Sequence, residues 1–196
     1  MTSRIQREFA FQAGVYTEET FLMNIYDISI CMNVETDIIR EQLIAMERIC
    51  YFMGECIDNC IFVQDTEKKV IEKYTAAGLK VCTTPVEPYD QMINVMLLTK
   101  LNAITEGRFD ITDISLSSKL SDGVSYMHDC DSATGPFAVQ GWWTDSASNI
   151  TEICKQNKKD KIVHLFNARM DWSDLELSWK EKSTDVSEEI TFEPIK

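Results

Sequence analysis

The sequence predicts an α/β (or α+β) fold, a mixed sheet with helices packed on it. Three stretches carry that expectation. Tyr26, Ile28, Ile30, Met32 and Val34 alternate with polar residues, as in a half-buried strand. Tyr89, Met92, Ile93, Met96, Leu97, Leu101 and Ile104 recur at helical spacing after Pro88. Between them, short apolar runs alternate with helical patterns, giving the order β-α-β-α-β-α-β over residues 24–116. The alternative is a ferredoxin-like core in which residues 66–77 form an insertion.

Taken in order, residues 1–23 are ambiguous. Phe9, Phe11, Val15 and Tyr16 suit a short strand or a packed arm. The strand over 24–34 is followed by Thr36, a candidate N-cap, and a helix over 36–53. Its apolar rows are Ile39, Leu43, Met46, Cys50 and Met53, with Ile38, Ala45, Ile49 and Phe52 beside them. Arg40, Glu41, Glu47 and Arg48 are assigned to water, and Gly54 to the helix end. Residues 60–63 read as a buried strand. Asp65 caps a helix holding Val70, Ile71, Tyr74 and Ala77, and Gly78 stops it. Residues 79–84 form the next strand, and Pro85 and Pro88 lead into a helix over 88–104. There Lys100 interrupts the apolar face with its methylene stem. Gly107 ends the helix, and 109–116 is a strand.

Beyond 131 the character changes. Residues 137–143, 161–166, 175–179 and 190–192 all suit strands, so a β-rich carboxyl-terminal part is expected. The expected layout is one domain over 1–196: a 24–131 core, a 132–180 extension and a frayed, charged tail from 181.

Composition narrows the function. The 32 acidic against 19 basic side chains leave a net charge of −13, which disfavours direct binding to phosphate backbones. The one basic run, residues 155–161, reads as a solvated loop. Seven cysteines, an odd number, sit mostly in apolar patterns, and no apolar signal region or membrane-length run occurs. A reducing, cytoplasmic setting with unpaired thiols and no membrane contact is the expectation. Neither GxGxxG nor GxxxxGK[ST] is present, so a nucleotide held in the usual loops is disfavoured.

Two groups of residues invite a functional reading. Asp122, His128, Asp129 and Asp131, with Asp110 and Asp113 nearby, are suitable ligands for magnesium, manganese or zinc. The structural alternative is aspartates in turns. On an extended chain His128 points away from Asp129 and Asp131. The second group is Trp142-Trp143. On a strand the two indoles face opposite ways, leaving one for a partner, most simply a second copy in a two-fold dimer. Cys56 and Cys60 have zinc-compatible spacing but lack a second pair, and neither His128 nor His164 stands in a nucleophile motif. The favoured function is therefore a non-catalytic acidic interaction or regulatory protein that contacts another protein or itself, without a cofactor. The alternative is a metal-dependent hydrolase or nucleotide-processing enzyme centred on residues 122–131, using a divalent ion such as magnesium or manganese.

Overall fold

The computed structural model describes residues 3–131, 134–150 and 170–179. Strands β1 (Ser3–Thr17) and β2 (Thr20–Val34) form a long hairpin. Helix α1 (Ile39–Tyr51) runs on into a π-helical turn, Phe52–Ile57. Then come β3 (Cys60–Gln64), α2 (Lys68–Ala76), β4 (Lys80–Thr84), α3 (Asp90–Thr105), β5 (Phe109–Ser118) and β6 (Ser125–Asp129).

The six strands make one mixed sheet in the order β4-β3-β1-β2-β5-β6. β1–β3 and β3–β4 are parallel, and the other three pairs are antiparallel. The elements between residues 24 and 116 follow the expected order. The sheet nevertheless begins at Ser3, and β1 takes a central place that the ambiguous 1–23 stretch concealed. Its hairpin turns on Glu18 and Glu19, both left-handed at φ 48° and 59°. That is the geometry of a two-residue turn whose twist matches its strands.

One sheet face carries the main core. Tyr26, Ile28, Ile30 and Met32 of β2 meet Ile114 and Leu116 of β5, the helix α3 and the inner side of α1. α3 is buried along the expected stripe, including Lys100, except that Tyr89 precedes the helix and is exposed. α2 lies on the opposite face, where Ile71 joins Ile61, Val63 and Val81. It covers the β4-β3-β1 end. The opposite face of β2, β5 and β6 has no helix on it among the described residues.

Several local expectations are corrected. In α1 the buried stripe is Ile44, Ala45, Arg48 and Ile49, continuing to Phe52 and Met53. Ile39 (72% exposed) and Leu43 (60%) face water instead. The stripe is rotated because Arg48, assigned to water from its charge, is drawn inside by carbonyl and ring partners. Thr36 acts three residues before the helix: its Oγ1 accepts from the Ile38 amide at 3.2 Å and donates to Glu41 at 2.9 Å. Gly54 sits within the π-helical turn rather than after the helix, and Glu67, not Asp65, precedes α2. Residues 137–143 form no strand but run between two short 3-10 turns, Gly135–Ala138 and Trp142–Thr144, and residues 175–179 form no strand. The strands expected at 161–166 and 190–192 lie outside the described residues.

Candidate functional site

The 122–131 stretch folds as a turn and an edge strand rather than a loop. Ser118 opens a short 3-10 turn, and Asp122 follows it at φ 49°. β6 then pairs with β5, setting His128 opposite Ile114 and Asp129 opposite Asp113. Strand alternation sends Tyr126 and His128 to the helix side, and Ser125, Met127 and Asp129 to the open side. His128 is half-buried, with Nε2 buried and without a hydrogen-bond partner among the described residues. Asp122, Asp129 and Asp131 are exposed. Pairing therefore separates His128 from Asp129, and Asp122 lies at the opposite end of β6. Among the described residues no three His, Cys, Asp or Glu side chains are grouped to hold a metal ion. The ligand set Asp122, His128, Asp129 and Asp131 is not brought together.

The tandem tryptophans are also placed differently. Trp142–Thr144 is a 3-10 turn, so the two indoles do not alternate across a strand. Both are buried, at 1% and 5% exposed, and they meet edge to face. Trp142 Nε1 donates to the Thr83 carbonyl at 2.8 Å, and Trp143 Nε1 to those of Phe137 and Val139. Lys100 fastens the turn to α3, its Nζ donating to the carbonyls of Trp142, Asp145 and Ala147 at 2.8, 2.6 and 2.6 Å. The exposed indole from which a dimer interface was expected at Trp142 and Trp143 is absent, because both rings complete the chain's own core.

Burial decides the chemistry of two thiols, Cys56 and Cys82. Cys60 and Cys82 are buried neighbours, and burial holds the Cys82 thiol well above its ordinary range. Burial likewise pushes Cys56 up to about 12, and its Sγ donates to the Ser148 carbonyl at 3.3 Å. Protonated thiols are poor metal ligands and poor nucleophiles. Cys130 is exposed. Cys154, His164 and the basic run 155–161 lie outside the described residues.

What sequence reasoning missed is the open sheet face. Pairing lays Glu8, Asp27, Asp110, Asp113 and Asp129 on one surface, with Ser29, Ser115, Ser117 and Met127 between them. Among the described residues Arg4 is the cation on it, bound to Asp113 at 2.5 Å. The alternation of Asp110, Asp113, Ser115 and Ser117 with Ile111, Ile114 and Leu116 was a readable signal. The shift in the β2–β5 register between Cys31 and Met32 restores the phase. Asp113 and Asp129 stand directly opposite each other, a repulsive pairing that a cation relieves.

The edge strand is positioned from the core. Asn94 Nδ2 of α3 donates to the Tyr126 carbonyl at 3.0 Å, and Ser118 Oγ donates to Asp90 at 2.6 Å. Next to Ser118 lies Tyr26, whose buried hydroxyl has Asn24 and Asp90 as polar neighbours but no hydrogen bond of good geometry. Burial, then the Asp90 carboxylate, raises its pKa, so the phenol stays neutral.

A second buried cation closes the other end. Arg48 Nε donates to the Leu177 carbonyl at 2.9 Å, and Nη1 to the Ile104 carbonyl at 3.0 Å and the Glu106 carboxylate at 2.8 Å. Its guanidinium lies 4.7 Å from the Trp172 ring and 3.8 Å from that of Trp179. Burial lowers its pKa, and Glu106 opposes that shift. These contacts hold residues 170–179 against α1.

No protein-family model matches the sequence, and no curated protein matches it. Two solved structures are similar in fold. An uncharacterized protein, WS1659 from Wolinella succinogenes, superposes with a TM-score of 0.47 at 9% identity, covering 67% of this chain and 99% of that one. 6-Pyruvoyl tetrahydropterin synthase from Plasmodium vivax gives a TM-score of 0.39 at 10% identity, covering 65% and 97%. No helix among the described residues is long and apolar enough to cross a membrane.

Proposed function

We propose that this chain is a non-catalytic binding protein whose acidic sheet face receives a basic protein partner. One observation supports this reading above the others: among the described residues five carboxylates, Glu8, Asp27, Asp110, Asp113 and Asp129, share an open surface with one cation, Arg4. Such a face sums with the net charge of −13 into a field that attracts cations and repels nucleic acid. The metal-hydrolase alternative draws no support from the placement of Asp122, His128, Asp129 and Asp131.

Binding of poly-L-lysine tests the reading. The triple variant Asp110→Asn, Asp113→Asn, Asp129→Asn is compared with Glu47→Gln, Glu55→Gln, Glu72→Gln, which makes the same charge change at exposed helical positions. The sheet-face variant is expected to bind about tenfold more weakly, and the control to stay within about twofold. Raising salt, with its Debye length of about 10 Å at 0.1 M, should weaken the parent. Equal losses in the two variants would leave only diffuse charge attraction and contradict an assigned face.

A further inference from the structure

The geometry points to the outer edge of β6 as the acceptor for one added strand, supplied by a basic, extended segment of another protein. This deepens the acidic-face reading and rests on it.

The hydrogen-bond phase of β6 decides which groups are available. The Cys130 amide donates to the Thr112 carbonyl, which makes 130–112 a hydrogen-bonded pair. By alternation, His128–Ile114 and Tyr126–Leu116 are hydrogen-bonded pairs too. The main-chain N–H and C=O groups of Ser125 and Met127 therefore face away from β5. They have no hydrogen-bond partner among the described residues, and the Met127 side chain is 82% exposed. The opposite edge of the sheet is different: the β4 carbonyl of Thr83 accepts from Trp142. Among the described residues β6 is the edge left open. An extended peptide satisfies such groups with its own main chain, while its alternate side chains read the flanking surface.

That surface sets the occupant. Side chains of an added strand that project with Ser125, Met127 and Asp129 lie beside Met127 and near the Asp113–Asp129 pair. Alternate Lys or Arg residues match these carboxylates, and their methylene stems cover Met127. A second copy of this chain is the poorer fit. Its β6, Ser-Tyr-Met-His-Asp, offers no Lys or Arg, and the copy brings a further net charge of −13. Asp129 on a five-residue edge thus repels acidic chains and admits basic ones.

The test uses a labelled alternating Lys-Val peptide of about ten residues, read by fluorescence anisotropy. Its partner probes are the same peptide N-methylated along one edge and an alternating Glu-Val peptide. Met127→Pro removes only an outward N–H, a substitution that edge strands accept; Met127→Ala is its control. Lys-Val is expected to bind, and Glu-Val not to. N-methylation and Met127→Pro should each weaken binding by about five- to tenfold, the size of lost main-chain hydrogen bonds, and Met127→Ala by about twofold at most. The N-methylated probe keeps the test sound even if Met127→Pro unfolds the protein. If neither change alters affinity while Asp113→Asn with Asp129→Asn does, strand addition is wrong and the acidic-face reading survives. If the Asp variants have no effect either, both fall. Sedimentation showing a dimer that Met127→Pro dissolves, with no peptide bound, would assign the edge to a second copy and overturn the proposal.

Discussion

Replacing Arg48 by alanine should loosen the carboxyl-terminal strap and cost several kilocalories. The substitution leaves the carbonyls of Ile104 and Leu177 without their donors. Unpaired buried carbonyls cost about 1–3 kcal/mol each. Two cation–ring contacts, with Trp172 and Trp179, add about 0.5–1 kcal/mol apiece. Glu106 is 35% exposed and re-solvates, so its lost ion pair adds little. Removing the guanidinium also recovers its own desolvation, which offsets part of the sum. The net expectation is about 3–5 kcal/mol, measured by chemical denaturation. Tryptophan emission should shift to the red as Trp172 and Trp179 become wet, while Trp142 and Trp143 stay buried. Arg48→Lys keeps the charge but not the planar fork, and should recover less than half of the loss. A loss under about 1 kcal/mol with unchanged emission would refute the assignment of Arg48 as the clamp.

Leu97→Ala should cost about 2–5 kcal/mol, whereas Leu43→Ala should cost under about 0.5 kcal/mol, since Leu97 is buried and Leu43 is not; denaturation of both variants checks the rotated α1 stripe. Native thiol titration should find Cys130 fast and Cys56, Cys60 and Cys82 slow until the chain unfolds. Burial raises the Cys56 thiol from its ordinary 9.0 to about 12, so its contribution to stability is fully present below pH 9.0 and is lost as pH rises toward about 12; a melting temperature that climbs across that window would contradict this. Magnesium and manganese should leave the melting temperature unchanged, and a clear rise with either would return the 122–131 stretch to metal chemistry.

The elements that were legible are those whose own side chains encode burial. β2 alternates cleanly because one of its faces is core and the other open, and α3 shows its stripe because the sheet and the 142–144 turn both press on it. β1 was obscured because Arg7 shares a side with Ile5 and Phe9, and because its polar outer row lies on an open face. α1 was read with its stripe turned. Nothing in the local sequence says that Arg48 finds two carbonyls and two indoles from residues far along the chain. Trp142 and Trp143 misled for the same reason, since their turn is fixed by Lys100 and Thr83 rather than by local propensity. At the candidate site the alternation of His128 and Asp129 was legible and correctly set them apart. That Asp129 faces Asp113 was not, because it depends on the β5–β6 register.

Amide hydrogen exchange along β6 tests the central claim, an open acidic edge in place of a metal loop. In the free protein the amides of Ser125 and Met127 should exchange near the rate of an unprotected chain, while those of Tyr126 and His128, bonded to β5, should be slowed by about tenfold or more. Adding the basic strand peptide should slow Ser125 and Met127 in turn. Uniformly fast exchange from 125 to 129 would dissolve the strand, and protection of Met127 in the free protein would mean that the edge is already covered.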